Sequence, residues 1–224
     1  MTEKLVATEH YVASLDLLAG KALIYNDEQF EHLNRINNIY TSWITIGKHA
    51  TFAEKLKIKI FSDNIIIATE NTGQRSLEDL LEFVGDMAEH FLSCGYKLRG
   101  GLAKGELYID DIFVWGKGLV SAYLLENDSA IYPRILISDS VYADISDRTK
   151  NRMIIKDIDS LYYFNYLKGY GKGAKGYLKT IDTALDKVTA ELSQENLDIK
   201  VRAKLGWLEN FLKENKSYWL SELK

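Results

Sequence analysis

One proline and one cysteine in 224 residues limit what this chain is. A lone Cys94 closes no intramolecular disulfide, and four histidines without metal-ligand spacing build no zinc site with it. The sole proline, Pro133 in Ala130-Ile-Tyr-Pro-Arg134, marks the start or edge of a strand, and no proline-rich linker, repeat or low-complexity segment divides the sequence. Positive charge is not in excess: 28 Lys and Arg face 32 Asp and Glu, a net charge of -4. The basic field with which duplex-binding proteins collect phosphates is missing, so nucleic acid is not an expected partner. A small anionic substrate stays possible, because local lysines and helix N-termini bind phosphate regardless of net charge. No apolar run approaches the ~18 residues of a membrane span, so no membrane partner is expected. The first ten residues hold no apolar stretch of signal-peptide length, and a cytoplasmic, disulfide-free protein is expected.

What is present is an alternation of two hydrophobic periods. Residues 9–16 read as a strand, followed by a helical pattern of Phe30, Leu33, Ile36, Asn37, Tyr40 and Trp43. Residues 55–61 alternate lysine with Leu56, Ile58 and Ile60, a half-buried strand that turns at Ser62-Asp63-Asn64 into the apolar run 65–68. Ser76-Leu-Glu-Asp79 has the spacing of a capping box for a helix with Leu77, Leu80, Leu81, Val84, Met87, Ala88 and Phe91 on one face. Cys94 at its end reads as a buried, inert small hydrophobe. Residues 97–104 and 106–109 are expected to form a hairpin, and 117–126 a short helix.

This order builds an α+β fold, a ferredoxin-like βαββαβ sandwich with helices on one face of a mainly antiparallel sheet. After a glycine-rich basic run from Gly169 to Gly176, two helical patterns over 177–193 and 197–214 form a C-terminal helical extension. The expected division is residues 1–168 for a catalytic domain and 169–224 for the extension packed on it. The basic run lacks the Gly-Lys-Ser/Thr ending of a nucleotide-binding P-loop and reads as a plain loop.

Two aspartates carry the chemical signal. Asp16 closes the first strand and Asp63 sits in the turn of the lysine hairpin. A carboxylate at a strand end or hairpin tip can leave the core and hold a hard cation beside a second carboxylate, the arrangement that two-metal phosphoryl chemistry needs. Leu17-Leu-Ala-Gly20 after Asp16 is a small-residue turn whose N–H groups could cradle phosphates. Taken singly, Asp16 is also a good helix N-cap and Asp63 a good turn former.

Four blocks in order, Asp16-Leu-Leu-Ala-Gly20, Ile58-Lys-Ile-Phe-Ser-Asp63, Arg99-Gly-Gly-Leu-Ala-Lys-Gly-Glu106 and Val114-Trp-Gly-Lys-Gly-Leu-Val-Ser-Ala-Tyr-Leu-Leu-Glu126, resemble the main blocks of class III nucleotidyl cyclases. The looser spacing, with Ala130-Ile-Tyr-Pro-Arg134 and a distal Trp207-Leu208, looks most like the pyrimidine cyclases of the bacterial Pycsar anti-phage system. The resemblance implies conversion of UTP or CTP to cyclic UMP or cyclic CMP, two Mg²⁺ or Mn²⁺ ions, a homodimer, and a separate effector that responds to the cyclic nucleotide. It assigns Asp16 and Asp63 as catalytic, with the metals at Asp16, Leu17 and Asp63. Substrate would be bound by Leu17, Leu18, Ala19, Gly20, Lys59, Phe113 and Arg99.

The departures weigh as much as the matches. Phe113 stands where adenylyl cyclases of this class carry an adenine-reading aspartate. Val120 and Leu124 stand where many members carry the asparagine and arginine that stabilise the transition state. Arg99, Lys104, Lys117, Arg134 or Lys156 is left to supply that charge. The alternative is a catalytically degenerate module that binds nucleotide or dimerises.

Overall fold

The strand β1 (Thr8–Leu17) is buried along nearly all its length because both of its faces are covered. In the computed structural model, which describes residues 5–47, 55–169 and 171–224, it pairs antiparallel with β3 (Asn64–Glu70) and β4 (Leu98–Ile109). Tyr170 of the glycine-rich run lies outside the described residues. The sheet order is β2-β3-β1-β4-β6-β8-β7, where β2 is Leu56–Phe61, β6 Ile135–Ile137, β7 Ile154–Lys156 and β8 Tyr162–Phe164. Among the described residues every pairing in that sheet is antiparallel except β4 with β6. Pro133 precedes β6, a central strand, so it marks a strand start and removes no ladder donor.

The helices are α1 (Gly20–Tyr25), α2 (Glu31–Gly47), α3 (Gln74–Cys94), α4 (Lys117–Leu124), α5 (Asp139–Asp144), α6 (Asp147–Met153), α7 (Gly173–Leu192) and α8 (Ile199–Ser221). None among the described residues is long and apolar enough to cross a membrane. On one sheet face, Tyr11, Ala13, Leu15 and Leu17 meet Leu77, Leu80, Val84, Met87 and Phe91 of α3 in the main core. On the other, Val12, Ile66, Ala68, Ala103 and Leu107 meet Ala122 of α4 in a smaller cluster. The second face is therefore partly covered from within the chain, not left bare.

Three further expectations are corrected. β4 runs unbroken for 12 residues, and its hairpin partner is the short β5 (Val114–Trp115) instead of a strand beginning at 106. The glycines that read as an interruption are seats for α4: a Cβ at Gly101 would come within 2.7 Å of the Glu126 backbone nitrogen, and one at Gly105 within 2.9 Å of the Gly118 nitrogen. The helix α3 begins two residues before Ser76, capped at Gly73 without a side-chain bond, and the Ser76 hydroxyl donates back to the Gly73 carbonyl (2.7 Å). Cys94 is exposed at the end of α3.

The helices α7 and α8 add Tyr177, Ile181, Val188, Leu205, Leu208, Phe211 and Trp219 to the main core, so they are packed on the sheet domain as expected. Trp219 donates its indole N–H to the Leu167 carbonyl (2.7 Å) and stacks on Tyr177 at 5.0 Å. Trp207 donates to Asp157 (3.1 Å), which is also ion-paired with the buried Arg134. Each polar tip is satisfied while its ring is buried, the condition under which large aromatics hold an interface.

Candidate active site

The strand register brings the two aspartates together. Asp16 lies opposite Asn64 in the β1–β3 ladder, one residue from Asp63, and the Leu17 N–H donates to the Asp63 carbonyl (3.1 Å). Asp63 is in the tight turn between β2 and β3, where Ser62 takes a left-handed conformation (φ 55°). The two carboxyl groups line one cleft and stand close enough that Asp63 helps to raise the Asp16 carboxyl. After β1 the chain turns at Ala19, also left-handed (φ 67°), and the Leu18 N–H donates to the Lys97 carbonyl (2.8 Å). Gly20 then passes under Asp63 so closely that a Cβ there would lie 2.8 Å from Asp63 Cγ. Glycine is required at this position by contact, because a side chain would displace the acid.

A cleft of about 400 Å³ opens here, lined by Asp16, Leu17, Leu18, Ala19, Gly20, Asp63 and Arg99 among the expected residues. Arg99 enters from β4, directly opposite Asp16, and its Nε donates to Asp16 Oδ2 (2.8 Å). Its Nη2 lies 3.0 Å from Glu126 Oε1. Glu126 is 2% exposed, placed by the π-helical turn Leu125–Ser129 that follows α4. Burial raises the Asp16 carboxyl above the usual carboxylate range; Arg99 opposes the shift and Asp63 adds to it. Burial likewise pushes Glu126 up to about 7, against Arg99 and with help from Asp16 and Asp63. Of the three acids in the cleft, Asp16 and Glu126 share the Arg99 guanidinium, and Asp63 has no cation bonded to it among the described residues.

An acid with no bonded cation beside a second acid fits a hard cation. Two carboxylates in contact, at the end of a strand and beside a backbone turn, suit Mg²⁺ or Mn²⁺, which take one or two protein carboxylates and complete their shell with water and phosphate oxygens. No group of three or more His, Cys, Asp or Glu closes round one point among the described residues, so the protein alone would not saturate an ion.

Two expected substrate residues stand apart from this cleft. Lys59 pairs with Ile66, which pairs with Ser14, so it is on the Asp16 face of the sheet, two residues up the ladder. Phe113 is 43% exposed in the β4–β5 hairpin, its ring 5.3 Å from that of Tyr108. The neighbouring Asp110 accepts from the Phe113 N–H (2.9 Å), the Ile112 N–H (2.7 Å) and the Tyr108 hydroxyl (2.8 Å). Those bonds, with a smaller contribution from Lys59, hold it below the usual carboxylate range.

Most of the cations offered for the transition state are already engaged. Arg99 is held by Asp16 and Glu126, Lys104 by Asp144 (2.6 Å), Lys117 by Glu106 (3.2 Å), and Arg134 by Asp157 and Asp159. Lys156 lies over the Tyr162 ring. The cleft also contains Asn64, Tyr123, Glu126, Asn127 and Lys204, to which sequence reasoning assigned no role. Glu126 closes the fourth block quoted above, but nothing in its local pattern says that it is buried against Arg99. Lys204 comes from 78 residues further along the chain.

No protein-family model matches the sequence, and no curated protein matches it. Solved structures do match the fold. The adenylyl cyclase CyaB from P. aeruginosa superposes with a TM-score of 0.54 at 14% identity, covering 72% of this chain and 96% of its own. The chain has the class III cyclase fold. The dimeric guanylyl cyclase domain of the RhoGC fusion protein from the aquatic fungus Blastocladiella emersonii gives 0.53 at 15% identity, covering 72% of this chain and 97% of its own. A class III adenylyl cyclase-like ATP-binding protein from Pseudomonas aeruginosa gives 0.51 at 9%, covering 79% of this chain and 40% of its own. Against either cyclase, about a quarter of the chain falls outside the matched fold.

Proposed function

We propose that this chain is a pyrimidine nucleotide cyclase that converts UTP or CTP to the 3′,5′-cyclic monophosphate and pyrophosphate. The observation that carries the reading is the contact of Asp16 with Asp63 beside the Leu17–Gly20 turn, within a class III cyclase fold. Two divalent ions held at Asp16, Leu17 and Asp63 would acidify the ribose 3′-hydroxyl and neutralise the triphosphate. The turn from Leu17 to Gly20 brings the backbone close enough to grip phosphate oxygens. Arg99 orients Asp16. Lys59 and Phe113, further up the same side of the sheet, are the residues we assign to the base. The neighbouring Asp110 is occupied by its own turn, so that carboxylate is not free to read an adenine amino group.

Separation of the base residues from the cleft favours a homodimer in which each copy completes the other's site. The exposed apolar residues Phe61, Phe113, Trp115, Val120, Tyr123 and Leu124 supply a surface for it. We assign residues 1–168 as the catalytic unit and 169–224 as its helical extension. The product would act on a separate effector as a second messenger in anti-phage defence.

A second reading, a nucleotide-binding or dimerisation module without turnover, draws on Val120 and Leu124, which are apolar and exposed where a transition-state asparagine and arginine are expected. Incubating the purified chain with each of the four nucleoside triphosphates and Mn²⁺, then identifying products by mass, separates the two. Cyclic UMP or cyclic CMP is expected. Cyclic AMP or cyclic GMP as the main product would remove the pyrimidine assignment, and absence of any cyclic product would favour the module.

A further inference from the structure

Lys204 extends from the first turns of α8 into the cleft that holds Asp16, Asp63, Arg99 and Glu126. It also lines a second cavity of about 520 Å³ behind the Leu18–Ala19 turn, together with Arg35 and Lys97. It therefore stands at the junction of the two, against the turn assigned to phosphate. Lys204 is half-buried and has no ion pair or hydrogen bond with any described residue. Half-buried at the edge of the cleft and bonded to none of its acids, it is placed to meet an anionic ligand. Lys97, by contrast, is paired with Glu191. Lys21 also lines the cleft, but it is exposed and its ammonium sits over the Tyr25 ring (5.9 Å).

We propose that Lys204 binds the terminal phosphates of the nucleoside triphosphate, making the C-terminal helices part of the active site. The inference rests on the cyclase reading above. In that reaction the ribose O3′ forms a bond to the α-phosphorus, the bond from that phosphorus to the bridging oxygen of the β-phosphate breaks, the hydroxyl proton leaves to water, and pyrophosphate departs with the bond electrons. Lys204 faces the charge that accumulates on the departing group, in a site whose guanidinium is already held by Asp16 and Glu126. Its position is fixed by the buried residues Leu205 and Leu208 on the same helix.

Lys204→Ala in the full chain tests this, with Lys204→Arg as the conservative variant and Lys213→Ala, an exposed lysine paired with Glu209, as the control. Loss of one charge-assisted contact is expected to raise both KM for the triphosphate and the inhibition constant of pyrophosphate by about tenfold or more. Lys204→Arg should recover most of the loss, and Lys213→Ala should match the wild type. If the wild type makes cyclic nucleotide while Lys204→Ala keeps both constants within about twofold, the inference is overturned and the cyclase reading stands. If the wild type makes no cyclic product, the cyclase reading falls, and calorimetry with Mn²⁺ and tripolyphosphate decides separately. Weaker binding by Lys204→Ala than by wild type would then support the anion site, and equal binding would remove it. Matching thermal unfolding of all variants excludes a folding defect.

Discussion

Two guanidinium groups in this molecule are each held by two carboxylates, and they behave in opposite ways. Arg134 is 1% exposed, bound to Asp157 and Asp159, with Trp207 donating to Asp157 as well. Its hydrogen bond is the chief reason that Asp159 is held below the usual carboxylate range. Arg99 binds Asp16 and Glu126, yet both of those carboxyl groups are raised, by burial first and then by neighbouring acids, Asp63 for Asp16 and both Asp16 and Asp63 for Glu126. One cluster is built round a buried guanidinium held by two acids; the other is open and faces a cleft. A depressed Asp159 marks a structural clamp here, and the raised Asp16 and Glu126 mark a place where charge is still to be added.

The widest gap between the clusters should appear when an acid is removed from each side. Asp16→Ala or Asp63→Ala is expected to reduce cyclic-nucleotide formation by at least about a thousandfold, roughly 4 kcal/mol in the barrier. The melting temperature should change little, because Arg99 keeps Glu126 when Asp16 is removed and Asp63 has no bonded cation to leave behind. Turnover within tenfold of wild type in either variant would refute the site. Arg134→Ala is expected to do the reverse. It leaves Asp157 and Asp159 without their partner and should cost about 3 kcal/mol or more in unfolding free energy, measured by urea denaturation. A neutral outcome would mean that the clamp does not anchor α8.

A smaller effect sharpens the geometry of the open cluster. Gly20→Ala places a methyl group against Asp63 without changing any charge. We expect about a hundredfold loss of turnover, close to 3 kcal/mol, with stability nearly unchanged. Full activity would show that Asp63 can move aside, and that its contact with Asp16 is not needed.

The two clusters also differ in how far the sequence disclosed them. Asp16 and Asp63 are legible because strand periodicity and a two-residue turn fix where each stands, and pairing of neighbouring strands does the rest. The alternation of elements was sufficient for the sheet core, since β1, β2, β3 and α3 have strong, unambiguous periods. The Arg134 clamp is not legible, because its acids lie 23 and 25 residues away in a turn with no periodic pattern. Arg134 thus reads as a free cation until the fold is seen. Glu126 is hidden for a different reason: the helical pattern predicts its face, but a π-helical turn rotates it inward against Arg99. The glycines of β4 mislead in the opposite sense. Low strand propensity suggests a break, whereas the missing side chains let α4 lie against the strand.

Whether a raised acid by itself marks a site is tested by Asp86, far from the cleft on α3. It is exposed at the surface, with its carboxyl at the rim of a cavity of about 230 Å³ near Gly171. Burial pushes it up to about 6; Glu82 and Glu89 add to this and Lys172 opposes it. The ordinary value is about 4, so between about pH 4 and 6 the folded state keeps a proton that the unfolded state has lost. This contribution to stability is present in full below about pH 4 and is lost as pH rises through about 6. Two units would correspond to nearly 3 kcal/mol, but solvent screening at the exposed edge reduces the expectation to about 1 kcal/mol. Asp86→Asn should therefore be more stable than wild type at pH 7.5 by about that amount, with the difference shrinking toward pH 4.5, as read from urea unfolding at both values. Its cyclase activity should be unchanged. A pH-independent difference would deny the burial effect, and a loss of turnover would mean that raised acids outside the cleft also serve the reaction, which would erase the contrast between the two guanidinium clusters as a guide to function.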